Sequence, residues 1–133
     1  MKRPPCSETG AGARNSAVGN RGEEIAVLFL KGLKYRILER NYRCRSGEID
    51  IIARDGRSLV FVEVKARRHA AFGPPQMAVT AFKQRQISKA ALTWLAQNSQ
   101  ENAEARFDVV AVTLPDHEVP QIEHIRCAFD LCY

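Results

Sequence analysis

No apolar run in this 133-residue chain approaches the ~20 residues that a membrane-spanning helix needs. A protein threaded through a bilayer by helices is therefore excluded. The segment Met1 to Arg21 opens with Lys2 and Arg3 but continues through Pro, Ser, Gly, Ala and Asn. It lacks the apolar stretch of a secretory signal, which leads us to expect a disordered, retained basic tail over residues 1–15 and a cytoplasmic protein. The four cysteines, Cys6, Cys44, Cys127 and Cys132, form no CxxC pair and have no histidine at zinc-ligand spacing, so free thiols are expected rather than zinc or disulfides. The three histidines, His69, His117 and His124, stand far apart, and nothing suggests a histidine base or a His-metal centre. There is no internal repeat, no low-complexity block and no Pro- or Gly-rich linker within the core. One domain over 16–133 follows.

The composition, 45% hydrophobic and 26% charged, is that of an ordinary soluble globular domain. The formal net charge is +5, but much of it sits in the tail, where Lys2, Arg3, Arg14 and Arg21 face only Glu8. Basicity alone is therefore a poor argument for a nucleic-acid partner. How charge is distributed within the core matters more.

Ser16 can cap a helix running to about Gly32, with Ile25, Ala26, Leu28, Phe29 and Leu30 as its apolar stripe. Tyr35 to Arg43 is rich in strand formers. Gly47 to Arg54 and Ser58 to Arg67 are β-branched runs on either side of Asp55-Gly56, a strong hairpin signal. Gly73, Pro74 and Pro75 break the chain before a second helix, where Ile87, Ala90, Ala91, Trp94, Leu95 and Asn98 recur at helical spacing. Arg106 to Leu114 is apolar on both faces, as an interior strand should be, and Pro115-Asp116 turns it into a weaker last strand, Gln121 to Cys127. The order αβββαββ predicts an α/β domain, a central mixed sheet flanked by helices.

With Asp55 and Gly56 as the turn residues, the hairpin register sets Ile52 opposite Leu59, Asp50 opposite Phe61 and Glu48 opposite Glu63, all on one face. That face of the second hairpin strand reads Leu59, Phe61, Glu63, Lys65, Arg67, and the other reads Val60, Val62, Val64, Ala66. Three carboxylates crowded on one face repel one another, so a cation belongs among them. Mg²⁺ or Mn²⁺ suits oxygen ligands and commonly takes only one or two carboxylates, with water and substrate phosphate completing the shell. Asp50 and Glu63 are the expected metal ligands, Glu48 a supporting acid. Lys65, on the same side as Glu63, is placed to orient a water or to stabilise charge on a phosphate. An exposed sheet face laced by ion pairs accounts for the same residue types, and spacing alone leaves both readings open.

The segments Gly47-Glu48-Ile49-Asp50 and Phe61-Val62-Glu63-Val64-Lys65 resemble the PD-(D/E)xK signature of restriction-endonuclease-like nucleases, with Asp50, Glu63 and Lys65 at its three positions. Ile49 stands where that signature has proline. Gly22-Glu23, Asn41 to Arg43, Gly47 to Asp50, Phe61 to Lys65 and Arg106 to Asp108 together resemble the YraN-like family of small uncharacterised bacterial proteins. The similarity spans about Gly19 to Val112 and implies a restriction-endonuclease-like fold similar to archaeal Holliday junction resolvases. It also implies a further acid from the first helix at Glu23. Helical spacing favours the same choice, since Glu23 aligns with Ala26, Val27 and Leu30 while Glu24 shares a face with Lys31.

Lys83, on the buried stripe of the second helix, is expected to reach the sheet edge near these acids, with Arg85 and Lys89 turned to solvent. Arg36, Arg40, Arg43, Arg45, Arg67, Arg68 and His69 could form a phosphate-contacting rim, with Arg43, Arg45, Arg67, Arg68 and Lys83 as the preferred nucleic-acid contacts. Tyr42 and Phe72 could stack on bases, although packing is the commoner use of an aromatic. Asp108 is expected to anchor Arg106 or a loop. The resulting expectation is a Mg²⁺- or Mn²⁺-dependent endonuclease acting on DNA and selecting its structure rather than its sequence, because 133 residues leave no separate base-reading module. The alternative is a non-catalytic nucleic-acid-binding module in repair or recombination. A third reading is an interaction protein with an incidental acidic pocket. Resolvases of the implied kind act as dimers on a two-fold symmetric junction, so a homodimer is implied as well, though no stretch marks an interface.

Overall fold

A computed structural model describes residues 13–69, 79–116 and 118–131. Its elements run α1 (Ala13–Gly32), β1 (Arg36–Cys44), β2 (Gly47–Asp55), β3 (Ser58–Arg67), α2 (Ala81–Gln97), β4 (Glu104–Thr113) and β5 (Gln121–Phe129). The α/β order is the expected one. The five strands form one mixed sheet in sequence order, antiparallel throughout except for β3 and β4. That parallel pair requires a crossover, which α2 provides. Among the described residues no helix is long and apolar enough to cross a membrane.

Alternation along the strands sorts the core into two layers. Leu59, Phe61, Phe107 and Val109 pack with Ile87, Ala90, Ala91, Trp94 and Leu95 of α2. Val60, Val62, Val110 and Val112 pack with Ala26, Val27 and Leu30 of α1. Each helix therefore covers one face of the sheet, and the central strands β3 and β4 are buried on both sides, as their apolar runs require. Asn98, expected on the apolar stripe, is instead the exposed C-cap residue of α2, and its side-chain amide donates to the Trp94 carbonyl at 2.9 Å. Phe72 and the Gly73-Pro74-Pro75 break lie outside the described residues.

Two local expectations need correction. The first helix begins at Ala13, so Ser16 lies inside it; Ala13, Arg14 and Ala17 are good helix formers and carry the helix past the polar residue. The hairpin turn is Gly56-Arg57, since Asp55 pairs with Ser58. Gly56 takes φ +60°, the left-handed conformation that a tight hairpin asks of a glycine at its first central position. Arg54 then faces Leu59 and Ile52 faces Phe61, a register offset by two residues from the expected one. An even offset leaves the side chains of β3 and of Ile51 to Arg54 on their predicted faces, but it slides Asp50 from opposite Phe61 to the level of Glu63.

Glycine at two positions lets the helices approach the sheet closely. A Cβ on Gly22 would overlap the Ala66 Cβ of β3, and one on Gly47 would lie 3.1 Å from the Gln86 Cβ of α2. Both glycines immediately precede acids, Glu23 and Glu48. Gly22→Ala is expected to lower stability by about 1–3 kcal/mol through overpacking against Ala66, which exceeds the ~1 kcal/mol that alanine adds through helix propensity. A shift of the urea midpoint to lower concentration with an unchanged slope is the result that checks it.

Candidate metal and nucleic-acid site

Strict alternation fails at Asp50. Ile52 and Ile49 both belong to the α2-side cluster, while Ile51 belongs to the α1 side. The same break occurs in the neighbouring strand: Asn41 takes φ +53°, a conformation that its short polar side chain tolerates. On one side of the break Arg40 reaches Glu24 of α1 at 2.7 Å, and on the other Tyr42 packs in the α2-side cluster. Paired residues between β2 and β3 end at Ile51 and Val62. Beyond that point the Val64 N–H donates to Asp50 Oδ2 at 2.8 Å, so the carboxylate takes over the hydrogen bond that a continuing ladder would have made. Asp50 is thereby held where the two strands part, reachable from both helical layers.

Glu63 enters this opening from β3. It is only 5% exposed. Burial, then a hydrogen bond with Asp50 and the negative charge of Asp50, push its carboxyl up to about 9, against the opposing pull of Lys83 and Lys65. The Lys83 ammonium, brought in by the first turns of α2, is 3.8 Å from Glu63 Oε2. From the α1 side Glu23 is raised first by burial and then by the charge of Asp50, with Glu48 adding to it. Its Oε1 is buried without a hydrogen-bond partner. Glu24, by contrast, is exposed and ion-paired to Arg40, so the inward acid of α1 is Glu23.

The structure thus gathers Asp50, Glu63, Lys65, Lys83 and Glu23 at one end of the sheet, where β1 and β3 finish and β2 begins. Glu48 lies at the same end of the sheet, where it lines a recess with Lys83 and acts on Glu23. It is half exposed and paired with Arg43 at 3.1 Å, because the break in alternation at Asp50 turns the preceding residues over. Arg45, in the β1–β2 turn, is exposed. Arg67 ends β3, and the exposed Arg68 lies 3.6 Å from Asp116. Arg36 is displaced from the expected rim: it pairs with Arg54 at the opposite end of the sheet. Arg40 is engaged by Glu24. Tyr42 is buried and its hydroxyl donates to Gln97 Oε1 at 2.8 Å, so it packs rather than offering a stacking surface. Arg85 and Lys89 are exposed, as expected.

The acids suit a hard cation in one respect and not in another. Among the described residues no three Asp, Glu, His or Cys side chains form a ready-made metal cage. Mg²⁺ and Mn²⁺ need no such cage, since one or two carboxylates with water suffice. The oxygen of Glu23 that lacks a hydrogen-bond partner and the adjacent carboxyls of Asp50 and Glu63 are oxygen donors of the kind a hard cation takes. Asp50 and Glu63 would hold it, with Glu23 facing the same opening.

A second polar group lies apart from these acids. Asp108, fully buried, accepts from Arg106 Nε at 3.1 Å and from the Cys127 N–H at 3.1 Å, and hydrogen-bonds His124 Nε2 at 2.8 Å. Arg106 also donates to the Tyr35 hydroxyl at 2.7 Å and pairs with Asp55 at 3.1 Å. Asp108 therefore anchors Arg106, as its neighbourhood in sequence suggested. It also closes the break in β5 pairing at Cys127, whose φ is +52°. Membership of His124, Tyr35 and Asp55 had no signal in the sequence, because they join from β5, from the link between α1 and β1, and from the end of β2.

The sequence profile of the uncharacterised protein family UPF0102 matches residues 22–112. A UPF0102 protein of Geotalea daltonii is 70% identical over 119 residues, covering 90% of this chain and 94% of the relative. One from Pelobacter propionicus is 57% identical over the full length of both chains, and one from Rhodococcus opacus is 47% identical over 88% of this chain and 99% of the relative. The matched segment begins at Gly22, where α1 meets β3, takes in every acid and lysine gathered at the sheet end, and closes at Val112 in β4. The chain belongs to the uncharacterised protein family UPF0102, the YraN-like family that its motifs resemble.

Proposed function

We propose that this protein is a Mg²⁺- or Mn²⁺-dependent endonuclease that acts on DNA phosphodiesters and selects its substrate by shape. One observation carries the reading: Asp50 and Glu63 share a hydrogen bond in a buried opening, the unpartnered oxygen of Glu23 is buried beside it, and two lysines act on Glu63. The resemblance to the PD-(D/E)xK signature supports the same assignment at Asp50, Glu63 and Lys65.

In this reading Asp50 and Glu63 hold the ion, and Glu23 assists from α1. The ion, when bound, supplies Lewis-acid polarisation of the phosphate and lowers the pKa of a water. Asp50 is kept in place by the Val64 N–H, a fixed donor that needs no rearrangement on binding. Lys65 brings positive charge to the attacked phosphate, where negative charge develops. Lys83 exchanges its contact with Glu63 for the incoming phosphate. Arg43, Arg45, Arg67 and Arg68 supply sequence-independent backbone contacts, and the reading carries with it a cytoplasmic role in repair or recombination.

A second reading keeps the nucleic acid and drops the chemistry. It is favoured by Lys83, which already supplies Glu63 with a cation at 3.8 Å; a self-compensated site can bind without turning over. Purified protein incubated with labelled duplex, branched and single-stranded DNA and each metal separates the two, with Lys65→Ala alongside. Metal-dependent cutting by the native protein that Lys65→Ala loses supports the nuclease. Equal background cutting by both removes it, and salt-dependent binding that survives Asp50→Ala then favours the binding module.

A further inference from the structure

The charge on α2 is arranged against the helix that carries it. Its sequence holds Lys83, Arg85 and Lys89 and no Asp or Glu, and no charge lies beyond its midpoint at Lys89. The first turn has no acid and the last turn no base, the reverse of what the helix dipole favours. Arg85 and Lys89, four residues apart, add a like-charge pair, which also works against the helix. Lys83 is compensated by Glu63 Oε2 at 3.8 Å. Arg85 and Lys89 are exposed, and neither forms an ion pair among the described residues.

Phe82 opens the same stripe. At 62% exposed it is the most exposed aromatic side chain among the described residues, and it belongs to neither core layer. Arg85 and Lys89 follow it by three and seven residues, so all of them share one helical face. That face is opposed to Ile87, Ala90, Ala91 and Trp94, which pack on the sheet. An exposed ring interleaved with uncompensated cations is complementary to a single nucleic-acid strand. Its phosphates take the charge and an unpaired base takes the ring face. Paired bases are stacked on one another and leave no face for the ring. The stripe starts beside Lys83, at the turn of α2 that reaches Glu63, and extends along the helix for about 10 Å.

We propose that Phe82, Arg85 and Lys89 hold an unpaired strand leading away from the bond handled by the carboxylates, with Phe82 stacked on a base and the two cations on phosphates. The inference rests on the reading that the partner is a nucleic acid, but not on metal or cleavage. It narrows the selected shape to DNA with an unpaired stretch beside the site.

The test uses Phe82→Leu, which keeps an apolar helix former and removes the ring, and the double replacement Arg85→Gln, Lys89→Gln. Anisotropy of fluorescein-labelled oligothymidylate and of blunt duplex DNA is read in EDTA across a salt series. Phe82→Leu should bind the single strand roughly tenfold more weakly with an unchanged salt slope, and should bind the duplex as the native chain does. Phe82→Trp should bind the single strand at least as tightly as the native chain. The double variant should lower the single-strand salt slope by about 1.4, at about 0.7 for each phosphate released. It should melt no lower than the native chain, because it removes a like-charge pair; cations that served the fold would give the opposite sign. Native single-strand affinity in Phe82→Leu and in the double variant overturns the stripe and leaves the nucleic-acid reading standing. An equal loss on duplex and single strand in Phe82→Leu overturns the stacked base. A native chain that binds neither DNA removes the nucleic-acid reading and the stripe with it. Binding of phosphatidylserine vesicles in place of DNA, lost in the double variant, assigns this face to a membrane surface and likewise overturns the proposal.

Discussion

Raising the pH from about 5 to 9 is expected to destabilise the metal-free protein, and Glu63→Gln is expected to abolish most of that dependence. Glu63 has an ordinary value near 4.5 in the unfolded chain and is pushed up to about 9 in the fold, first by burial and then by Asp50. Between those values the native state holds a proton that the unfolded state has released. Stability therefore falls as pH rises through the window, with a slope approaching about 1.4 kcal/mol per pH unit. The contribution is fully present below the unfolded value and gone above the folded one. The amide introduced by Glu63→Gln cannot titrate and keeps the hydrogen bond to Asp50, so the variant should be nearly flat and should overtake the native chain toward the alkaline end of the window. Urea midpoints measured at intervals across the window give the answer, and parallel curves for the two proteins would refute the assignment. On the proposed metal reading, a divalent ion at Asp50 and Glu63 would compete with the same proton, so the stabilisation conferred by added Mn²⁺ should grow with pH in the native chain.

Asp108→Ala is expected to produce the largest loss of stability, about 3–5 kcal/mol, the range for breaking a buried charge pair. Removal leaves Arg106, which is 15% exposed, without its buried partner, and deprives the Cys127 N–H of its acceptor at the break in β5. Such a loss takes a large share of an ordinary domain's stability, so the informative comparison is with an Arg106→Met, Asp108→Leu double replacement. Apolar substitution of both partners avoids a stranded charge, and the double variant should melt above Asp108→Ala. The pH dependence runs opposite to that of Glu63. His124, Cys127 and Arg106 hydrogen-bond Asp108 and outweigh its burial, holding the carboxyl below its ordinary 3.8. Its contribution is therefore complete above that value and is lost as pH falls through the folded one. Acid unfolding that is unchanged in Asp108→Asn would contradict this.

How far the site could be read from residue order depends on the kind of contact involved. The pairing of Asp50 with Glu63 was legible because two short β-branched runs flank a glycine turn. Their common orientation survived a misplaced turn because the register moved by an even number of residues. The ion pair of Glu48 with Arg43 was not legible for the complementary reason: alternation was assumed to run unbroken through Asp50, and a local break in two adjacent strands has no mark stronger than Asn41. Glu23 was implied by the family resemblance and favoured independently by helical period, since Ala26, Val27 and Leu30 fix the inward side of α1. Arg36 was misplaced because a list of basic residues carries no information on which end of a strand each occupies.

What the chain determined by itself is therefore local and periodic: two amphipathic helices, five strands, the inward faces, and the neighbours of Asp50, Glu63 and Lys65. These follow from side-chain spacing, which acts over a few residues and needs no tertiary partner. Only the folded structure decided where β2 and β3 part, that Asp50 bonds the Val64 N–H, that Lys83 stands against Glu63, and that His124, Tyr35 and Asp55 meet around Arg106 and Asp108. Those contacts join residues distant in the chain, and they are selected by the packing of whole elements, the desolvation of charge and the close approach that Gly22 and Gly47 permit.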